Sequence, residues 1–354
     1  MGKGKILAGG AAALLLLGGG GVVAVVAALG GVYYWATSAT YTALHTEYET
    51  HEVDFPVPFP LTDDEVEALR AEKLAALGDD APEDGDPLEG VDPLEGVDLD
   101  ALALAAAKER GKHYATGRYL CIECHGSDFA GGTMIDDAAM GKVLGPNITP
   151  GSRTADFAPS DWDRAVRHGV NGDGLGTMMP IGDFVKMSDR ELSDIIVWAR
   201  SLPASDAVVP RPAMGPLGTM LIATGNLTPE VAMVEDHHAP HEVLPPEEGV
   251  TEAFGEHLAQ VCVGCHRESF DGGPIAIGPP DWPPAANLTS HADGVEGWSL
   301  EDFVSTLRTG KRPDGTDVAA PMTLMTPYAN EMTDTELEAI WVYLQSLPAK
   351  PTGT

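Results

Sequence analysis

The feature that most constrains this chain is a five-residue pattern that occurs twice. Cys121-Ile122-Glu123-Cys124-His125 returns as Cys262-Val263-Gly264-Cys265-His266, and the two copies use all four cysteines of the sequence. On a helix the first cysteine, the second and the histidine stand at i, i+3 and i+4, so all three project from one face. No cysteine remains for a disulfide framework. Whatever each pattern binds must be reached by two thiols and an imidazole together.

C-x-x-C-H is the attachment signature of c-type haem. Two thiols reach the two vinyl groups on one porphyrin edge and form thioethers, while the adjacent imidazole turns inward to bind iron. Two CxxC pairs can also hold a structural zinc, and either alone can be a redox-active dithiol. Neither explains the histidine after each second cysteine. The reading is therefore two covalently bound haem c groups, attached through Cys121 and Cys124 and through Cys262 and Cys265, with His125 and His266 on the irons.

The sequence around the motifs is duplicated. At the offset of 141 residues that relates Cys121 to Cys262, Gly131-Gly132 matches Gly272-Gly273, Gly169 matches Gly310 and Asp173-Gly174 matches Asp314-Gly315. The offset becomes 145 near the end, where Met187-Ser-Asp matches Met332-Thr-Asp and Ser201-Leu-Pro matches Ser346-Leu-Pro. Each copy closes on a helix that opens with a capping box, Ser188-Asp-Arg-Glu191 and Thr333-Asp-Thr-Glu336. Apolar residues follow at helical period: Leu192, Ile195, Ile196, Ala199 and Leu202, then Leu337, Ile340, Trp341, Leu344 and Leu347. About a hundred residues per copy make a marginal core, and a buried haem supplies apolar mass.

Ahead of the copies, Lys3 and Lys5 precede an apolar run over residues 6–36 that ends in Tyr33-Tyr34-Trp35. It exceeds the apolar core of a secretory signal and suffices for a spanning helix. No Lys or Arg follows until Arg70, so the positive-inside rule puts the N-terminus in the cytoplasm and the rest outside it. Cleavage near residues 36–39 is the alternative. Residues 38–100 read as an acidic tether with one short helix, started by the capping box Thr62-Asp-Asp-Glu65 and ending at Gly78. Residues 79–100 hold ten acidic residues, no basic ones and a tandem hexapeptide, Asp86-Pro-Leu-Glu-Gly-Val91 and Asp92-Pro-Leu-Glu-Gly-Val97. Such a stretch buries too little surface to fold, and reads as a disordered spacer.

The pattern resembles the class I cytochrome c domain, and the two-copy chain is similar to the di-haem cytochrome c proteins of bacterial respiratory chains. The phrases that carry this, over about residues 105–349, include Arg110-Gly111, Cys124-His-Gly-Ser-Asp-Phe-Ala-Gly-Gly132, Pro146-Asn-Ile-Thr149, Arg167-His-Gly169, Met178-Met-Pro180, Asn287-Leu-Thr289 and Trp341-Val-Tyr-Leu-Gln-Ser-Leu347. The resemblance implies a mainly α fold of two tandem cytochrome c domains, each with its first and last helices packed together. Organisation follows as 1–37 signal-anchor transmembrane helix, 38–100 tether, 101–204 first domain, 205–249 connection and 250–354 second domain. The apolar segment 214–222 predicts that the connection packs on the haem domains.

In the family the sixth iron ligand is a methionine in the loop before the last helix, often followed by proline. Met179, before Pro180, fits that place in the first copy, with Met178 its rival. The second copy has no Met-Pro there, and Met325 is chosen over Met322. A Met/His pair suits electron transfer, whereas an exchangeable position suits catalysis. His168 reads as a surface or haem-edge residue. His237, His238 and His241 read as a solvated linker, with a metal ion as the minority reading, and His113, His257 and His291 carry no signal.

With 54 acidic and 21 basic residues the formal charge is -33, which excludes nucleic acid as partner and favours docking to a basic redox protein. The expected protein is an electron carrier anchored in the bacterial inner membrane with its haem domains in the periplasm. The alternatives are a peroxidase-like haem enzyme, which needs one open iron position, and the cytochrome subunit of a dehydrogenase complex, which copurifies with a large catalytic partner.

Overall fold

The computed structural model describes residues 30–78, 92–275 and 282–354. They are mainly helical, as the sequence reading expects. Residues 30–44 are helical (α1), and α2 (Asp63–Gly78) and α3 (Leu99–His113) follow. A π-helical turn, Tyr114–Arg118, leads from α3 towards the short helix α4 (Cys121–His125). A small antiparallel sheet comes next, in the order β1 (Gly132–Asp137), β2 (Gly141–Gly145) and β3 (Ala213–Met214). Between β2 and β3 lie α5 (Pro159–Val166) and α6 (Asp189–Arg200), and after β3 comes α7 (Pro216–Ala223). The C-terminal half consists of α8 (Glu252–Ala259), α9 (Val263–His266), α10 (Leu300–Thr309), α11 (Thr326–Glu331) and α12 (Asp334–Ser346).

In each half the helix that leads into the cysteine motif crosses the closing helix, α3 on α6 and α8 on α12. Glycine makes both crossings close. A Cβ on Gly111 would run into the carbonyl of Asp194, and one on Gly255 into that of Ala339. The capping boxes form as their spacing predicts. Glu191 N donates to Ser188 Oγ at 3.3 Å while Ser188 N donates to Glu191 Oε2 at 2.9 Å, and Thr333 and Glu336 exchange the same pair at 3.1 and 2.8 Å. The closing helices bury Leu192, Ile195, Ile196 and Ala199, and Leu337, Ile340 and Leu344. Two apolar clusters result. One gathers Tyr114, Phe129, Trp162, Phe184 and Trp198 on α6; the other gathers Phe254, Leu258, Phe270 and Phe303 on α12.

The tether expected over 38–100 has its short helix, α2, capped by Thr62 and Glu65 as expected, but parts of it are not free. Phe55 and Phe59 are buried in the first cluster, Ser193 Oγ on α6 donates to Pro56 O at 2.8 Å, and Glu47 bridges to Leu175. Two aromatic side chains carry enough apolar area to hold an extended segment on a core, an effect that average composition hides. Leu94, in the second hexapeptide, is also buried, and Arg70 pairs with Asp92 at 2.7 Å. The first hexapeptide lies outside the described residues. So does most of the apolar run 6–36; among the described residues no helix is long and apolar enough to cross a membrane. The connection is fastened to the first half, since β3 extends the sheet at β2 and α7 buries Ile222. From the other side, Thr40 Oγ1 on α1 donates to Thr219 O at 2.8 Å.

Candidate haem-attachment sites

Both cysteine motifs form a short helical turn with the histidine at its end. His125 and His266 are 8% and 6% exposed. Nδ1 of His125 lies 2.7 Å from Pro146 O, and Nδ1 of His266 lies 2.8 Å from Ala286 O. A carbonyl oxygen only accepts, so each Nδ1 carries the proton and each Nε2 presents a lone pair. Burial pushes both imidazoles below their ordinary pKa, only partly offset by these carbonyls, so both are neutral near pH 7. This is the tautomer and orientation of a metal-ligating histidine. The supporting carbonyl is delivered by close packing, because a Cβ on Gly145 would run into the carbonyl of Cys124. Strand β2 therefore lies directly on the back of α4 and carries Pro146 to His125.

The thiols are unpaired, and burial pushes those of Cys121 and Cys262 up to about 12. A redox-active dithiol needs the opposite shift. Among the described residues no third ligating side chain converges on either cysteine pair, so neither fits a structural zinc. Two thiols and one fixed imidazole on one turn fit haem c. Met179 lies in the loop before a 3-10 turn, Ile181–Asp183, and packs against the same cluster as Cys121 and Ile122. Met322 and Met325 begin and end another 3-10 turn, half-buried, with Leu324 between them exposed.

Residues 253–348 match the family model for cytochrome c. Three relatives are similar over most of the chain. The gluconate 2-dehydrogenase cytochrome c subunit of Pantoea cypripedii is 29% identical over 289 residues, 71% of this chain and 63% of the relative. The cytochrome c subunit of the quinone alcohol dehydrogenase of Gluconobacter oxydans (strain 621H) is 28% identical, over 66% of this chain and 53% of the relative. The fructose dehydrogenase cytochrome subunit of Gluconobacter japonicus is 25% identical, over 67% of this chain and 52% of the relative. Residues 253–348 thus form a cytochrome c domain, and the chain is similar to cytochrome c subunits. It spans between half and two thirds of the length of these relatives.

The two halves meet at two places. At the first, Val261 packs against the cluster of the first half, and the 181–183 turn lies against α9. Asp183 there stands beside Gly264, and its charge bears on Cys124 as well as on Cys262 and Cys265. Burial and then Glu230 push its carboxyl up to about 8. At the second, Arg118, 2% exposed, joins the capping boxes of both closing helices. Its Nη1 donates to Glu191 Oε1 at 3.0 Å and its Nη2 to Glu336 Oε1 at 2.7 Å. His257 reaches Glu191, and His113 reaches Glu336, both at 2.9 Å. Burial would raise these carboxyls, but hydrogen bonds to His257 and His113 and the charge of Arg118 bring each down to about 2.

Several of these residues escaped sequence reasoning. Glu191 and Glu336 are visible as capping residues, yet nothing in their spacing shows that one arginine serves both. The duplication held one signal. Arg118 falls on Ala259 at the offset of 141, and a charge present in one copy only is a candidate for the contact between them. His113 and His257, read as silent, are in that contact. His168, read as a surface or haem-edge residue, is not on the surface, being 1% exposed.

Proposed function

We propose that this cytochrome is the haem subunit of a dehydrogenase complex, passing single electrons through two haems from a catalytic partner towards a membrane or periplasmic acceptor. The observation that carries it is the seating of the second attachment turn, α9, on the 181–183 turn of the first half, where Asp183 stands beside Gly264. Haems attached through these turns would be kept near each other by that contact, as a relay needs because tunnelling falls steeply with distance. The names of the relatives favour a dehydrogenase subunit over a free-standing carrier. They point to an alcohol, a sugar or a sugar acid as the partner's substrate.

Haem c supplies a reversible one-electron couple at its iron. The chain's part is to attach, orient and shield. Cys121, Cys124, Cys262 and Cys265 would hold the porphyrin edges, and His125 and His266 would give Nε2 to the irons with Pro146 and Ala286 fixing their rings. Met179, with Met178 as rival, and Met325, with Met322 as rival, are the residues we assign to the opposite faces. The run 6–36 behind Lys3 and Lys5 supports anchoring in the inner membrane with both haems on the periplasmic side. The acidic surface suits a basic docking partner, with association slowing as salt rises.

The test is affinity purification of the full chain from detergent-solubilised membranes of its host. A large dehydrogenase should copurify, and its alcohol or sugar substrate should reduce the haem bands. A chain that purifies alone and is reduced by none of these substrates contradicts the assignment.

A further inference from the structure

Away from the cysteine motifs, four potential ligands converge inside the first half: His51 from the N-terminal segment, Asp163 on α5, His168 just beyond it and His241 from the connection. Their ligating atoms all lie within 4.8 Å of one another. His241 Nε2 is 3.1 Å from His168 Nε2 and 3.5 Å from Asp163 Oδ1, His168 Nε2 is 3.6 Å from Asp163 Oδ2, and His51 Nε2 is 3.9 Å from that same oxygen. A tetrahedral ion with bonds of about 2.0–2.1 Å sets its ligands about 3.3 Å apart, close to this spread. The three rings meet pairwise at interplanar angles of 87°, 55° and 56°, converging edgewise instead of stacking.

The protons decide what such a cluster lacks. His237 Nε2 lies 3.0 Å from the carbonyl of Val231, which only accepts, so the proton of a neutral His237 is there and its Nδ1 is a lone pair. That Nδ1 is 3.2 Å from His168 Nδ1, which must therefore donate. His168 Nε2 is left as a lone pair aimed at His241 Nε2 and Asp163. A proton on His241 would satisfy that one contact and nothing more. Asp163 Oδ2 and both ring nitrogens of His51 are buried with no hydrogen-bond partner.

We propose that His51, Asp163, His168 and His241 form a closed four-coordinate site for a divalent transition metal ion, Zn²⁺ by its nitrogen and oxygen donors and its lack of an open position. Arg167 Nε donates to Asp163 Oδ1 at 2.7 Å and Asp189 accepts from Arg167 Nη1 at 2.8 Å. The carboxylate is thereby oriented with Oδ2 towards the histidines, and the arginine charge is offset by Asp189, as outer-shell partners of a metal ligand do. An open cleft lined by His51, Asp54, Asp189, His238 and His241 gives an ion its way in. The ion would staple three distant segments, residues 47–60, α5 and the connection, onto one core. No electron passes through it.

The experiment uses the full-length cytochrome with its haems attached, exposed to ZnCl2 and desalted, with zinc measured by mass spectrometry. About one zinc per chain is expected, with an X-ray absorption edge showing a nitrogen and oxygen shell near 2.0 Å and imidazole scattering. His51→Ala, His168→Gln and His241→Ala should each cut retained zinc at least about tenfold. His51 is the most exposed of the four, so its variant should keep the haem spectrum, which separates loss of the site from loss of the fold. Less than about 0.1 zinc per chain in the parent, or retention undiminished in the His51 and His241 variants, would overturn the proposal.

Discussion

The two halves use the same parts to different ends. Each has a leading helix crossing a closing helix at a glycine, a capping box, and a histidine whose Nδ1 donates to a backbone carbonyl. Among the described residues the second half adds no sheet to these parts. The first is wrapped by residues 47–60, extended by the sheet and clasped by the connection, and it contains the histidine cluster. The same unit thus occurs in both halves, and the first copy carries additions around it. Arg118 belongs to those additions, since its equivalent is Ala259.

Removing Arg118 should have the largest effect. Arg118→Ala strands two buried carboxylates, and losing one partner of a buried ion pair costs about 3–5 kcal/mol. Chemical denaturation should then show the halves unfolding separately. The same carboxylates set an acid limit. Glu191 and Glu336 sit at about 2 when folded, below their ordinary 4.5. Their stabilisation is therefore complete above about pH 4.5 and is lost as pH falls towards 2. Melting temperature should fall through that window in the parent and less steeply in Glu336→Gln.

Phe55→Ala should cost about 3–4 kcal/mol and loosen the first half alone, because truncating a buried aromatic leaves a cavity. If the spectrum of the second haem changes instead, the segment does not belong to the first core. Gly111→Ala and Gly255→Ala should each cost about 1–3 kcal/mol in its own half by forcing the helices apart. Equal disturbance of both halves by either variant would contradict the pairing of α3 with α6 and α8 with α12.

Asp183 gives a pH-dependent effect. Its carboxyl is pushed up to about 8, so the folded protein holds a proton that the unfolded chain releases above about 4. Stability should decline as pH rises from 4 to 8, and Asp183→Asn should flatten that slope. The smallest effect expected is at the residue after each histidine. Gly126 has φ 80° and ψ 164°; Arg267 holds the same conformation, φ 69° and ψ 163°. That region belongs to glycine, and other residues there lose about 1–3 kcal/mol. Arg267→Gly should therefore stabilise the second half by about 1 kcal/mol, net of the arginine's contacts with Asp271 and Gly272. Gly126→Ala should destabilise the first by at least as much, since its Cβ would also crowd the carbonyl of Gly131.

What was legible in the sequence was periodic or repeated. The attachment turns, closing helices and capping boxes rest on local spacings, and the duplication confirmed each against its copy. What was hidden is long-range. Phe55 and Phe59 sit in an acidic, proline-broken stretch where average composition argues for disorder, and only the shape of the first core reveals why they are held. Asp163 and His168 are five residues apart, but His51 and His241 reach them from more than seventy residues on either side. His241 lies beside His237 and His238 in sequence, whereas in space it joins His51, Asp163 and His168.

The account rests on both cysteine motifs carrying haem. Mass spectrometry of the denatured full chain, purified from a host that matures c-type cytochromes, tests this directly. It should give the chain plus two covalent haems, falling to one in Cys262→Ala/Cys265→Ala and equally in Cys121→Ala/Cys124→Ala. A single haem in the parent chain, lost with one pair of substitutions and unaffected by the other, would contradict it.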